Sequence, residues 1–107
     1  MPKYLMLALN GPTKNEGDEE AFNKWYDEVH VPDFKAIDLI KSAKRYKVIR
    51  GKMPGMENWP YLTVYEIETD DLNLLSQRLQ KEVGPPHETF DRSVSANLWA
   101  IQISEDD

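Results

Sequence analysis

Lys3 to Leu9 is a short apolar run that stops at Asn10-Gly11-Pro12, a turn signal. Its length suits a strand rather than a helix. Leu5, Leu7 and Leu9 fall on one parity, Tyr4, Met6 and Ala8 on the other. A strand that is apolar on both parities is buried on both faces. The remainder of the 107-residue chain must therefore cover a sheet from two sides.

Two segments have helical period. Asn15 to Glu20 is acidic and polar and leads into a helix, with Asp18 as the expected N-cap. Phe22, Trp25, Tyr26 and Val29 then recur at i, i+3, i+4 and i+7. Val31-Pro32 is expected to interrupt this helix, and Phe34 and Ile37 to add one more turn. The second helix runs from the capping candidates Thr69-Asp70-Asp71 through Leu72, Leu75, Leu79 and Val83 to Gly84-Pro85-Pro86. Three further strands are expected. Ile40 to Arg50 alternates imperfectly, Tyr61 to Glu68 is rich in β-formers, and Val94 to Ile103 closes the pattern. Gly51 to Pro60 is a loop, and Glu105-Asp106-Asp107 is a solvated acidic tail.

The element order is βαββαβ in one domain spanning residues 1–107. Two right-handed βαβ units with a central hairpin give an α+β fold, a four-stranded antiparallel sheet with both helices on one face. No third layer remains for the other face. A homodimer packed sheet to sheet is the expected solution, and a monomer with a partly apolar open face is the alternative.

The formal charge is −6, with 13 basic and 19 acidic side chains. This argues against a nucleic-acid partner, which requires a basic face, and against attraction to an anionic membrane. It also gives a weak hint that a substrate need not be strongly anionic. Without cysteine there is no disulfide, thiolate metal site or Cys nucleophile. No apolar run approaches a membrane span, and no basic-then-apolar leader opens the chain, so a cytoplasmic protein is expected. Gly51 and Gly55 are spaced wrongly for a phosphate loop. Nucleophile-elbow and paired-histidine motifs are absent, and the two histidines are far apart in sequence. No metal and no cofactor are expected.

Tyr26 and His30, four apart, are neighbours on the first helix, with His30 at the edge of the apolar stripe. A histidine placed there can act as general acid or base near neutral pH, and Asp33 can orient its ring. The same spacing also fits a packed histidine bonded to backbone. His87 either sits at a pocket mouth or is a surface-loop histidine. Trp25, Tyr46, Tyr65 and Trp99 are candidate walls of a pocket for a flat ligand, or ordinary core. Trp59 is a lid, a dimer contact or an anchor.

Phe22 to Asp33 resembles the WYxxxHxPD signature of EthD-like and related dimeric α/β-barrel proteins, and Ser42-Ala43-Lys44-Arg45-Tyr46 resembles the second strand of that superfamily. The resemblance implies a ferredoxin-like fold that dimerises through its sheets, with a cavity between sheet and helices. It implies His30 as the catalytic residue, with Tyr26 and Asp33 beside it. Activities in the superfamily include isomerases, cyclases, lyases, cofactor-independent monooxygenases and haem-degrading enzymes. The chain departs from the pattern at Asp38-Leu39-Ile40, where a glycine usually precedes the second strand. Three functions are consistent with these residues. One is a cofactor-free enzyme acting by acid–base chemistry on an aromatic or polyketide-like carbonyl compound. The second is a non-catalytic binding or accessory protein, and the third a haem-binding monooxygenase.

Overall fold

In the computed structural model, which describes residues 1–105, four strands form one antiparallel sheet. They are β1 (Lys3–Asn10), β2 (Ile40–Lys47), β3 (Tyr61–Glu68) and β4 (Ala96–Ile101). Their spatial order is β2-β3-β1-β4. β3 therefore separates β1 from β2, and β1 separates β3 from β4, a split arrangement in which each crossover skips a strand. Met6 lies opposite Tyr65 on one side and Trp99 on the other, and Leu7 opposite Val64 and Leu98. Asp106 and Asp107, part of the expected acidic tail, lie outside the described residues.

Register sorts the strand residues into two faces, because side chains alternate along a strand. The helix-facing set includes Met6, Ala8 and Asn10 of β1, Thr63, Tyr65 and Ile67 of β3, and Asn97 and Trp99 of β4. Met6, Tyr65 and Ile67 form one buried cluster with Phe34, Ile37, Ile40 and Leu75. Phe34 comes from the first helical stretch and Leu75 from α3 (Leu72–Glu82), so both pack on this face. The opposite face carries Leu5, Leu7, Leu9, Leu62, Val64, Ala96 and Leu98. No helix covers it among the described residues, and Leu98 and Tyr46 are 47% and 49% exposed there.

The first helical stretch has three parts: α1 (Asp18–Trp25), a π-helical turn (Tyr26–His30) and α2 (Val31–Lys35). Val31 N–H donates to the Tyr26 carbonyl, a bond to the fifth residue back. Pro32 has no N–H to continue the ordinary ladder, and the widened turn just before it carries the chain through without a break. The expected interruption at Val31-Pro32 is therefore a change of helical register instead.

Other boundaries differ modestly. Asp18 is the first residue of α1, and Gly17, at φ 83°, occupies the cap position. The Asp18 carboxylate instead accepts from Thr13 Oγ1 at 2.6 Å and from Asn15 N–H at 3.0 Å. Asp71 caps α3, accepting from Leu74 N–H at 3.2 Å. β2 ends at Lys47 rather than Arg50, and β4 is shorter at both ends than expected. The turn from α2 into β2 needs no glycine. Ile37 N–H bonds Phe34 O and Ile40 N–H bonds Ile37 O, both at 3.0 Å, and no non-glycine residue has positive φ among the described residues. No helix among those residues is long and apolar enough to cross a membrane.

Candidate functional site

The widened turn sets the positions of Tyr26 and His30. Tyr26 opens it and His30 closes it. Tyr26 is fully buried, and the His30 ring meets it edge-on, with centroids 4.8 Å apart. Three aromatic rings hold the imidazole: Tyr26, Phe34 edge-on at 4.9 Å, and Trp25 stacked at 4.6 Å.

Beside these residues lies a cavity of about 230 Å³ between the helices, the sheet and the segment leading into β4. Tyr26, Phe34, Tyr65, Phe90 and Trp99 form its aromatic wall. His30 and Asn10 add polar groups. Among the described residues no lysine, arginine, aspartate or glutamate contributes to the lining.

The polar groups are wired unevenly. Asn10, at the end of β1, donates through Nδ2 to the Tyr26 hydroxyl at 3.0 Å. Its Oδ1 is buried and has no hydrogen-bond partner among the described residues, and the same holds for the Tyr65 hydroxyl. Burial, and after it the neighbouring Tyr26 hydroxyl, push the Tyr65 phenol far up, so it stays protonated. His30 makes no side-chain hydrogen bond among the described residues. Burial lowers its pKa to about 4, Asp33 opposes that shift and Arg45 adds to it. The imidazole is thus neutral at pH 7, with a free lone pair available as a base.

Arg45 underlies the site. Its guanidinium lies 4.4 Å over the Tyr26 ring and 5.2 Å over that of Tyr61. It is held by Asn23 Oδ1 at 2.8 Å and Asp27 Oδ1 at 2.9 Å. The contact is a cation–π interaction that packs the guanidinium against the ring face.

The structure brings some sequence candidates together and separates others. Tyr26, His30, Tyr65 and Trp99 line the cavity. Trp25 stacks on His30 from outside the lining. Asp33 makes no hydrogen bond to His30; its carboxylate accepts from Gly84 N–H at 3.3 Å and joins α2 to the end of α3. His87 stacks on Trp25 at 5.9 Å and its Nδ1 bonds Thr89, outside the cavity. Tyr46 lies opposite Leu62 on the open face of the sheet, away from His30. Trp59 anchors its loop through a hydrogen bond to the Val94 carbonyl.

Sequence reasoning missed Asn10 and Arg45. Asn10 reads as part of a turn, yet it shares parity with Tyr4, Met6 and Ala8 and so extends the helix-facing side of β1. Arg45 reads as one residue of a half-exposed strand, and its pairing with Thr63 puts it on the covered face. Among the described residues no cluster of three or more His, Cys, Asp or Glu could hold a metal ion.

No family model matches the chain, and no curated protein matches it. Several solved structures do, among them the following two. An EthD family protein from Bacillus halodurans C-125 aligns with a TM-score of 0.54 at 15% identity, covering 96% of this chain and 100% of its own. A DABB family protein with a ferredoxin-like fold from Mesorhizobium loti MAFF303099 aligns with a TM-score of 0.54 at 10% identity, covering 99% and 100%. At such identities the likeness is one of fold. The chain has an α+β ferredoxin-like fold like that of the DABB family protein, the fold that its resemblance to EthD-like and dimeric α/β-barrel proteins leads one to expect.

Proposed function

We propose that the chain is a small cofactor-independent enzyme, a cytoplasmic homodimer, that moves a proton on an aromatic or polyketide-like carbonyl compound with His30 as the base. The observation that carries this reading is a neutral imidazole, its pKa lowered to about 4, lining an aromatic cavity beside two phenols. Such a base retains its lone pair at pH 7 without first losing a proton.

The chemistry follows from the donors around it. His30 takes a proton α to the carbonyl. The oxygen that becomes negative is met by phenolic O–H donors. Tyr26 already accepts from Asn10 Nδ2, which leaves its own proton to donate. The imidazolium formed is stabilised by Asp33 through space and returns the proton at another carbon or to a leaving hydroxyl. Isomerisation, cyclisation and elimination all share this sequence. The volume, about 230 Å³, favours a compact ring system over a porphyrin, since pockets for drug-sized ligands run roughly 300–1,000 Å³.

Homodimer formation is proposed on the open face. Leu5, Leu7, Leu9, Leu62, Val64 and Leu98 make a contiguous apolar surface on one side of the sheet. Exposed apolar patches of this kind mark interaction surfaces, and a two-fold pairing covers the same patch on both copies.

A binding protein without turnover is the second reading. It is favoured by the carboxylate of Asp33, which bonds Gly84 rather than the imidazole, so no hydrogen bond among the described residues fixes the ring of His30. The experiment is a screen of compact hydroxyaryl ketones for turnover, followed by His30→Ala. A loss of 100-fold or more is expected, in line with the roughly 10²–10⁴-fold that general acid–base groups contribute. Unchanged turnover in His30→Ala would remove His30 as the base. Ligand bound and recovered unaltered after long incubation would favour the binding protein.

A further inference from the structure

The cavity beside His30 contains two buried polar groups that the protein itself leaves unmatched. Asn10 is 3% exposed and Tyr65 is fully buried, and both line the cavity. Asn10 spends its Nδ2 on Tyr26 and leaves Oδ1, an acceptor, without a donor. The Tyr65 hydroxyl, kept protonated by burial and by the nearby Tyr26 hydroxyl, makes no well-formed hydrogen bond among the described residues. The other two buried atoms lacking partners among the described residues, Ser42 Oγ and Arg45 Nε, belong to residues off the cavity wall. Two of the four such atoms thus belong to residues that line the cavity.

We infer that this cavity takes a neutral compound bearing both a hydroxyl and a carbonyl group, the hydroxyl donating to Asn10 Oδ1 and the carbonyl accepting from the Tyr65 hydroxyl. Three ligand chemistries compete for the space, and the wall decides among them. A hydrocarbon would fill the aromatic surface but leave Asn10 and Tyr65 unpaired, which is costly for buried groups. A carboxylate would be stripped of water against a wall with no lysine or arginine to pair with it. A neutral donor–acceptor ligand satisfies both atoms and buries its ring against Phe34, Phe90 and Trp99. The inference rests on the reading of this cavity as the ligand site and adds the polarity of the ligand to it.

The test is calorimetric titration of the full-length protein at neutral pH with four probes: 4′-hydroxyacetophenone, acetophenone, phenol and 4-hydroxybenzoate. The hydroxyketone is expected to bind at least 10-fold tighter than acetophenone, and the carboxylate most weakly of the four. Asn10→Ala should erase the preference for the hydroxyl. Asn10 also supports Tyr26, so a second variant guards against misfolding. Tyr65→Phe removes one oxygen and should weaken the hydroxyketone several-fold while leaving phenol unchanged. Equal binding of acetophenone and its hydroxy derivative would mean that water satisfies Asn10, and would overturn the inference while leaving the cavity a ligand site. Tightest binding by the carboxylate would overturn it in the same way. Binding of none of the four would overturn both the inference and the reading beneath it.

Discussion

The Arg45 guanidinium lies 4.4 Å over the Tyr26 ring, and this contact couples the second strand to the widened helical turn that presents His30. The side chain is 15% exposed, whereas its ion-pair partner Asp27 is 63% exposed. The cation–π contact is thus largely desolvated, and the ion pair is wet. Contacts of the first kind reach about 2 kcal/mol, and exposed pairs contribute roughly 0–1 kcal/mol. Arg45→Met should destabilise by about 2 kcal/mol, and Asp27→Asn by less than about 1 kcal/mol. Urea denaturation of the two variants checks the ordering. Equal losses would place the stabilisation in the ion pair.

Stability should depend on pH through His30. Its folded pKa, about 4, lies below the ordinary value of 6.5. The unfolded chain therefore binds more protons in that window, and stability rises with pH through it. The contribution is fully present above 6.5 and is lost as pH falls toward 4. Its size is about 3 kcal/mol at roughly 1.4 kcal/mol per pKa unit. Asp18, Asp38 and Glu82, all lowered by their hydrogen-bond partners, lose stability in the same direction on acidification. Comparison with His30→Gln, unfolded in urea at pH 4.5 and 7.5, isolates the histidine. The variant should show the smaller pH dependence, and an undiminished dependence would assign the effect to the carboxylates.

Two tyrosine-to-phenylalanine changes on the same cavity should behave differently. Tyr26→Phe removes the acceptor of Asn10 Nδ2 and leaves a buried donor unmatched. That costs about 1–3 kcal/mol. Tyr65→Phe removes a hydroxyl that has no partner, and should change stability by less than about 0.5 kcal/mol in either direction. Thermal melts distinguish the two. A large loss in Tyr65→Phe would mean that its hydroxyl is engaged in the folded protein.

A charge on the open face should abolish self-association. Leu7 lies between Val64 and Leu98 on that face, and Leu7→Glu buries an unpaired carboxylate if two sheets meet there. Light scattering of the unmodified protein should give twice the chain mass of 12.4 kDa, and Leu7→Glu the single mass. A single mass for both would leave the apolar face to some other occupant.

Much of the fold is legible in the residues. The two-sided apolar run of β1, the β-formers of β3 and the stripe of Leu72, Leu75 and Leu79 each read out one element with one period. The widened turn is not legible, because α and π turns place apolar residues almost alike over five positions. Tyr46 illustrates a different limit. In β2 neither parity is more apolar than the other, so alternation alone does not tell which side is covered. The answer comes from pairing with β3, a long-range relationship. For the same reason the side on which Arg45 lies is not legible in its own strand. Asn10 is hidden by its neighbours, since Asn-Gly-Pro is a strong turn signal that masks the last residue of a strand. Tyr26 and His30 were legible together because four-residue spacing brings side chains together in any helical turn. That Asp33 bonds Gly84 instead of His30 depends on where α3 ends, which local spacing does not encode.

The role proposed for His30 is that of a neutral base in an aromatic cavity. Its most direct test is an NMR titration of the His30 imidazole in labelled protein, with resonances assigned by their disappearance in His30→Gln. A midpoint near 4 is expected. A midpoint at the ordinary histidine value of 6.5 would mean that the ring is solvated and charged through the acid range, and would contradict its role as the site's base.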